Sequence, residues 1–158
     1  MVSTKWGQIA VALLFVLLLT TGCGGANPQP GAVFAGPMEP GTAGDNASIE
    51  GGELEFTIAE NGEGIATLTY ALGGSTCIPK EGVVMEGGDR SSTVEATQPF
   101  PIQGGSFEVD MGDIILKGKF NSPTEASGTM EVSITSVDSI LGSFTCDYGT
   151  LNWSAQMK

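Results

Sequence analysis

The residues with the types and spacing for chemistry are three acidic side chains near the middle of the chain. Asp110 and Asp113 flank a short turn, and Glu108 precedes them on the outer side of its strand. Carboxylates in such a turn are typical calcium ligands, and a carboxylate pair is the catalytic unit of glycoside hydrolysis. Exposed acidic turn residues are far commoner than either site, so we assign no catalytic residue and no metal here.

The sequence contains no histidine. The usual general base of serine and cysteine nucleophiles is therefore missing, as is the Cys/His ligand set typical of tetrahedral zinc. Cys77 and Cys146 do not belong to a Cys-x-x-Cys motif, which argues against thiol redox catalysis. We expect a protein that is not an enzyme and that needs no cofactor.

The amino-terminal stretch combines Lys5, an apolar run from Ile9 to Leu19 and small residues before Cys23. The run covers roughly half of the ~30 Å hydrocarbon core that a spanning helix must cross. This pattern is typical of a secretory signal. Cleavage by an ordinary signal peptidase, and secretion as a free protein, is the alternative outcome.

The motif TTGC at residues 20–23 resembles the lipobox of bacterial lipoproteins. Gly22 and Cys23 match, Thr21 is acceptable, and Thr20 stands where the family usually has Leu. The resemblance implies that residues 1–22 are a signal peptide and that Cys23 is lipidated. Two acyl chains on one cysteine hold a protein firmly, whereas one chain binds only marginally. The implied location is extracytoplasmic, on the cell surface or the periplasmic face of a bacterial membrane.

The formal net charge is −12 at pH 7. Such a chain is repelled by phosphates and anionic headgroups, so we do not expect nucleic acid as a partner. The acidic residues are scattered along the sequence, which favours a solvated surface. Binding of a cation or a basic partner is the alternative.

Residues 24–46 hold half of the chain's eight prolines and show no helical or alternating period. Proline lacks a backbone donor and glycine has high chain entropy, so this composition predicts a linker. We predict a disordered linker over residues 23–47 and a folded domain over residues 48–158. Phe34 and Met38 are expected to be incidental there, with local docking on the domain as the alternative.

Alternation of apolar and polar residues begins near Ser48 and recurs to the end of the chain. Leu54, Phe56 and Ile58 mark the first half-buried strand. Further strands are predicted over 65–72, 83–85, 91–97, 106–110, 114–120, 126–134 and 150–157. The prediction is an all-β fold, a single antiparallel β-sandwich of about seven or eight strands, immunoglobulin-like or jelly-roll-like. A small closed barrel is the alternative.

The stretch FNSPTEASGT at residues 120–129, followed by Cys146 and NWSA at residues 152–155, resembles a repeated ending of uncharacterised secreted bacterial β-sandwich modules. PIQGGSF at residues 101–107 matches the preceding part, so the similarity covers roughly residues 50–158. It implies the fold and carries no activity. We expect Trp153 to fill the core rather than to form a ligand platform.

With Cys23 lipidated, Cys77 and Cys146 remain as a pair in an oxidising compartment, where a disulfide is the default. It would close a loop of about 70 residues and stabilise the fold by about 4 kcal/mol in the chain-entropy model.

Three aromatic residues, Phe100, Phe144 and Tyr148, lie in less regular stretches than the others and are the candidates for ligand contact. Clustered on an exposed face, they would indicate a non-catalytic interaction module for an envelope protein or polysaccharide. Buried beneath a uniformly acidic surface, they would indicate a structural or accessory envelope lipoprotein without a small ligand.

Overall fold

The computed structural model describes residues 26–138 and 140–158. The predicted signal peptide and Cys23 lie outside the described residues. No helix that could cross a membrane occurs in the part that is described. The predicted all-β class is confirmed. The strands are β1 (Val33–Ala43), β2 (Ala47–Ile49), β3 (Gly52–Ile58), β4 (Gly64–Leu72), β5 (Ser75–Lys80), β6 (Val83–Gly87), β7 (Arg90–Gln103), β8 (Ser106–Asp110), β9 (Ile114–Ser122), β10 (Glu125–Asp138) and β11 (Gly142–Met157).

Eight of the strands form one large antiparallel sheet in the order β1-β11-β10-β9-β8-β7-β4-β3, and β2, β5 and β6 form a small second sheet. β1 pairs with β11 on one side and with β3 on the other. The large sheet therefore closes around a single core. The predicted packing of antiparallel layers is present. The closure of the large sheet corresponds to the small barrel that was the alternative prediction.

The core is built from the inward positions of the alternating strands and is dominated by aromatic rings. Phe56 lies among them, with its centroid 5.2 Å from that of Phe34, 5.4 Å from that of Phe107 and 5.9 Å from that of Trp153. Offset and edge-to-face ring pairs add about 0.5–1.5 kcal/mol each beyond their buried area. Trp153 is 3% exposed, which confirms its predicted place in the core.

Glycine makes room for the indole. Gly118 of β9 and Gly128 of β10 pair with each other across the ladder. A Cβ atom at these positions would lie 2.7 Å and 2.8 Å from the Trp153 ring. The ring of Trp153 can therefore approach the barrel wall only because both positions lack a side chain.

The predicted linker is wrong over most of its length. β1 occupies residues 33–43, and β2 begins at Ala47. Phe34 and Met38 are 0% and 3% exposed, so they belong to the core. Ala26 already packs against that core. The folded domain therefore starts more than twenty residues before Ser48, and what was predicted as a tether closes the barrel.

The composition of β1 is compatible with a strand because its inward positions alternate. Phe34, Gly36 and Met38 are spaced by two residues and face the core side. A Cβ at Gly36 would overlap the Ser154 carbonyl oxygen of β11. Glycine is therefore required for the close approach of β11, where a loop prediction would read it as a source of flexibility.

The barrel has two distinct ends. At the entry end, the chain reaches β1 beside the β3–β4 turn, where Gly31 N–H donates to the Ala59 carbonyl and Lys158 N–H donates to that of Val33. At the disulfide end lie the β5–β6 hairpin, the β8–β9 turn and the tip of the β10–β11 hairpin. These names are kept below.

Replacing Phe34 by alanine tests the place of β1 in the core. We expect the free energy of unfolding to fall by about 3–5 kcal/mol, because the change empties a fully buried ring site. Urea unfolding followed by circular dichroism measures the loss. Glu39→Ala, at an exposed position of the same strand, is the control and should change stability by less than about 0.5 kcal/mol. Equal stability of the two variants would restore the linker interpretation.

Candidate interaction surface

The β10–β11 hairpin continues past the barrel wall. The last pair of β10 with β9 is Val132 with Ile114, whereas its pairs with β11 continue to Asp138 with Gly142. Residues 133–147 therefore project beyond the wall at the disulfide end. β5 of the small sheet contacts β11 there.

A disulfide joins the two hairpins. Cys77 of β5 and Cys146 of β11 form the predicted bond, with Cα atoms 5.7 Å apart. Both cysteines are buried. Cys146 lies opposite Ile134 on β10, so the bond attaches the small sheet to the base of the projecting hairpin. The hairpins are thus held side by side by a covalent link rather than by packing alone.

The side chain of Asn46 also binds β11 beside the disulfide. Its Nδ2 donates to the carbonyl oxygen of Thr145 at 2.9 Å, and its Oδ1 accepts from the N–H of Asp147 at 2.9 Å. A side-chain amide carries both a donor and an acceptor, so it can pair with an extended strand as backbone does. Asn46 therefore forms hydrogen bonds with β11 at the residues immediately before and after Cys146.

The large exposed apolar side chains of the described residues are concentrated on these two hairpins. Val137 and Ile140 are 83% and 90% exposed at the tip of the β10–β11 hairpin. Exposed apolar side chains that lie near one another on a folded domain are candidates for an interaction site. We call the full set the hairpin surface: Ile78, Val84, Met85, Val137 and Ile140.

Acidic groups accompany the hairpin surface. Glu81, Glu86 and Asp89 are exposed on and beside β6, together with Lys80 and Arg90. These three acidic and two basic side chains nearly balance, whereas the chain as a whole carries a formal net charge of −12. Apolar side chains on a negatively charged protein are complementary to a partner that carries apolar and basic residues.

The three predicted aromatic contact residues are not brought together. Phe100 pairs opposite Ile65 near the entry end, whereas Phe144 and Tyr148 belong to β11 at the disulfide end. All three are partly buried. Phe100 and Tyr148 pack against the core, and Phe144 lies opposite Ser136 on the projecting hairpin. They do not form the exposed aromatic platform that glycan binding requires.

The acidic residues near the β8–β9 turn have local structural partners. Asp110 Oδ1 accepts from the N–H of Gly112 at 2.8 Å and closes the turn. Glu108 lies opposite Lys117 on the outer face, and Lys117 donates to Glu131 at 2.9 Å. This hydrogen bond raises the pKa of Lys117. Over the described ranges, no three side chains of the metal-ligating types come together.

A cavity of about 320 Å³ lies at the disulfide end between β4, β7 and the β8–β9 turn. Leu72, Met111, Ile114 and Ile134 give it apolar walls, and Arg90 lies among its polar lining groups. Its lining thus combines apolar walls with the polar side chains of Tyr70, Arg90, Ser91, Ser92 and Asp113, a mixture that suits ligand contact.

Sequence reasoning missed the hairpin surface. Alternation predicts a short strand over residues 83–85 and no element between residues 134 and 150. The available signal was the placement of Val137, Ile140 and Leu141 just before Gly142. Large aliphatic side chains at the tip of a turn between two strands lie away from the core, so this pattern predicts that they are exposed.

A scan against protein-family models and searches of curated proteins and of solved structures find no match to this chain.

The double variant Cys77→Ala, Cys146→Ala tests what the disulfide contributes. We expect a loss of about 4 kcal/mol in the free energy of unfolding, because the bond closes a loop across a sequence separation of 69 residues. Urea unfolding of the variant and of the reduced parent protein should give matching values. Unchanged stability in both would mean that the bond does not constrain the unfolded chain.

Proposed function

We propose that this protein is a bacterial lipoprotein, anchored through acylated Cys23 outside the cytoplasm, whose barrel is a non-catalytic module for binding another protein of the envelope. The lipobox resemblance at residues 20–23 supports the anchor. The Cys77–Cys146 disulfide is compatible with an extracytoplasmic location, since disulfides persist in oxidising compartments.

The position of Ala26 defines how such an anchor would present the barrel. Ala26 packs against the core, and two residues, Gly24 and Gly25, separate it from Cys23. A chain reaches at most about 3.5 Å per residue, so the anchor would lie roughly 10 Å from the folded domain. The chain enters at the end opposite the hairpins, so the hairpin surface would point away from the membrane.

The single observation that carries the proposal is the concentration of exposed aliphatic side chains at that far end. Val137 and Ile140 stand on a hairpin that the disulfide and Asn46 hold in place. A pre-organised apolar contact binds with less entropic cost than a flexible one. The net charge of −12 on the chain favours a protein partner whose apolar contact surface is bordered by basic residues.

A structural lipoprotein without a ligand is the second candidate. The partial burial of Phe100, Phe144 and Tyr148 favours it, because no aromatic platform for a polysaccharide is formed. A uniformly acidic surface, which that role also requires, is not present, since the hairpin surface interrupts it. The interaction module therefore accounts for more of the observations.

Cys23→Ala tests the anchor. The variant should appear in the soluble extracytoplasmic fraction or keep its leader, because it has no thiol to acylate. Cell fractionation and intact-mass analysis give the readout. Thr20→Leu, which moves the motif toward the usual lipobox, is the control and should stay membrane-bound. An acyl-free parent protein, or retention of processed Cys23→Ala on the membrane, would sink the proposal.

The double variant Val137→Asp, Ile140→Asp tests the hairpin surface. The anchored parent protein should recover a specific partner from detergent-solubilised envelopes, and the variant should recover at least about tenfold less, because charge replaces the apolar contact. Gln103→Asp, at an exposed site near the entry end, is the control and should leave recovery unchanged. Equal recovery by both variants, with unchanged melting temperatures, would refute a contact at the hairpins.

A further inference from the structure

The barrel wall is incompletely hydrogen-bonded between β7 and β8. These strands pair at Ile102 with Phe107 and at Gln103 with Ser106. From Arg90 to Glu95, β7 pairs with β4 on one side, and its other side has no strand partner among the described residues. In an antiparallel strand every second residue directs its N–H and C=O to one side. This part of β7 therefore presents a free edge.

Protection of that edge is uneven. Between the pairs Ile65–Phe100 and Thr67–Glu95, β7 has four residues opposite one residue of β4, which is a large bulge. The charge of Glu95, the bulge and Pro99 are the devices by which proteins block edge pairing. Ser91 to Val94 carry neither a charge nor a proline. The unprotected part of the edge is short and well defined.

The cavity of about 320 Å³ lies beside this unprotected part. Ser91 and Ser92 of β7 line it, and Met111, Ile114 and Ile134 contribute its apolar lining. Ile114 is 6% exposed and belongs to the core. An added strand on β7 would thus have backbone groups to pair with and an apolar pocket under one of its side chains.

We propose that a segment of the partner protein, in an extended conformation, adds to β7 at Ser91–Val94 and places an apolar side chain in this cavity. The proposal rests on the interaction function above and specifies its binding mode. In strand addition, main-chain hydrogen bonds supply affinity and pockets for alternate side chains supply specificity. The free edge and the cavity supply both.

The charges around the cavity restrict the occupant. Arg90 and Asp113 both line it, and neither side chain has an ion-pair or hydrogen-bond partner within the described residues. A segment that is apolar at its centre and polar or oppositely charged at its flanks would match them. A second copy of this chain is disfavoured, because each copy carries a net charge of −12.

Hydrogen exchange with defined peptides tests the proposal. The probes are acetylated and amidated heptapeptides that alternate threonine with leucine, valine or glutamate, added to the purified protein at millimolar concentration. The leucine and valine peptides should slow amide exchange at residues 91–94 and the glutamate peptide should not. Ile134→Trp, which fills the cavity, should weaken binding at least tenfold, whereas Ser136→Trp on the exposed hairpin should not.

Several outcomes would overturn the strand-addition mode. These are unchanged exchange at residues 91–94 with every apolar peptide, equal binding to Ile134→Trp and the parent, or a homodimer that Ile134→Trp dissolves in sedimentation analysis. Loss of partner recovery in Val137→Asp, Ile140→Asp alongside any of these results would leave the proposed function standing and reject only this binding mode.

Discussion

The fold depends on β1 pairing with two strands at once. β3 and β11 lie far apart in sequence, and β1 between them converts an open sheet into a ring. Without β1, both neighbours would expose unpaired backbone and the aromatic core would lose Phe34, whose ring stacks on Phe56. Unpaired edges are sites of aggregation, so closure protects the domain as well as completing its core.

Close packing of this ring requires glycine at particular positions. Gly36 lets β11 approach β1, and Gly118 and Gly128 let Trp153 lie against the wall. The many glycines of the chain therefore do more than form turns. The missing Cβ atoms provide space for a neighbouring strand at Gly36 and for the Trp153 ring at Gly118 and Gly128.

Closure is complete at the entry end and incomplete at the disulfide end. At the disulfide end, β7 separates from β8 and a cavity lies beside the gap. Two hairpins project there, and one disulfide and the side chain of Asn46 hold them together. Most strands have their backbone groups paired with neighbouring strands. The free edge, the cavity and the projecting hairpins lie where this pairing is interrupted. With the proposed anchor at the entry end, the disulfide end would face away from the membrane, as the proposed binding role requires.

The sequence by itself determined the all-β class, the inward positions of most strands and the identity of the disulfide partners. Period-two alternation is a local property, and the pairing of Cys77 with Cys146 follows from counting the cysteines outside the lipobox-like motif. The sequence also predicted Trp153 in the core. It misassigned residues 33–43 as linker, because prolines and glycines predict a loop from local composition alone.

Only the tertiary structure decided the role of β1, the closure of the sheet and the location of the candidate site. Phe34 and Met38 become core residues through β3 and β11, which are distant in sequence, so no local pattern could assign them. Phe100 and Tyr148 face the same uncertainty, since burial depends on which strands cover them. Val137 and Ile140 are likewise exposed because the β10–β11 hairpin extends beyond the end of β9. The lengths of strands relative to one another are a property of the assembled sheet.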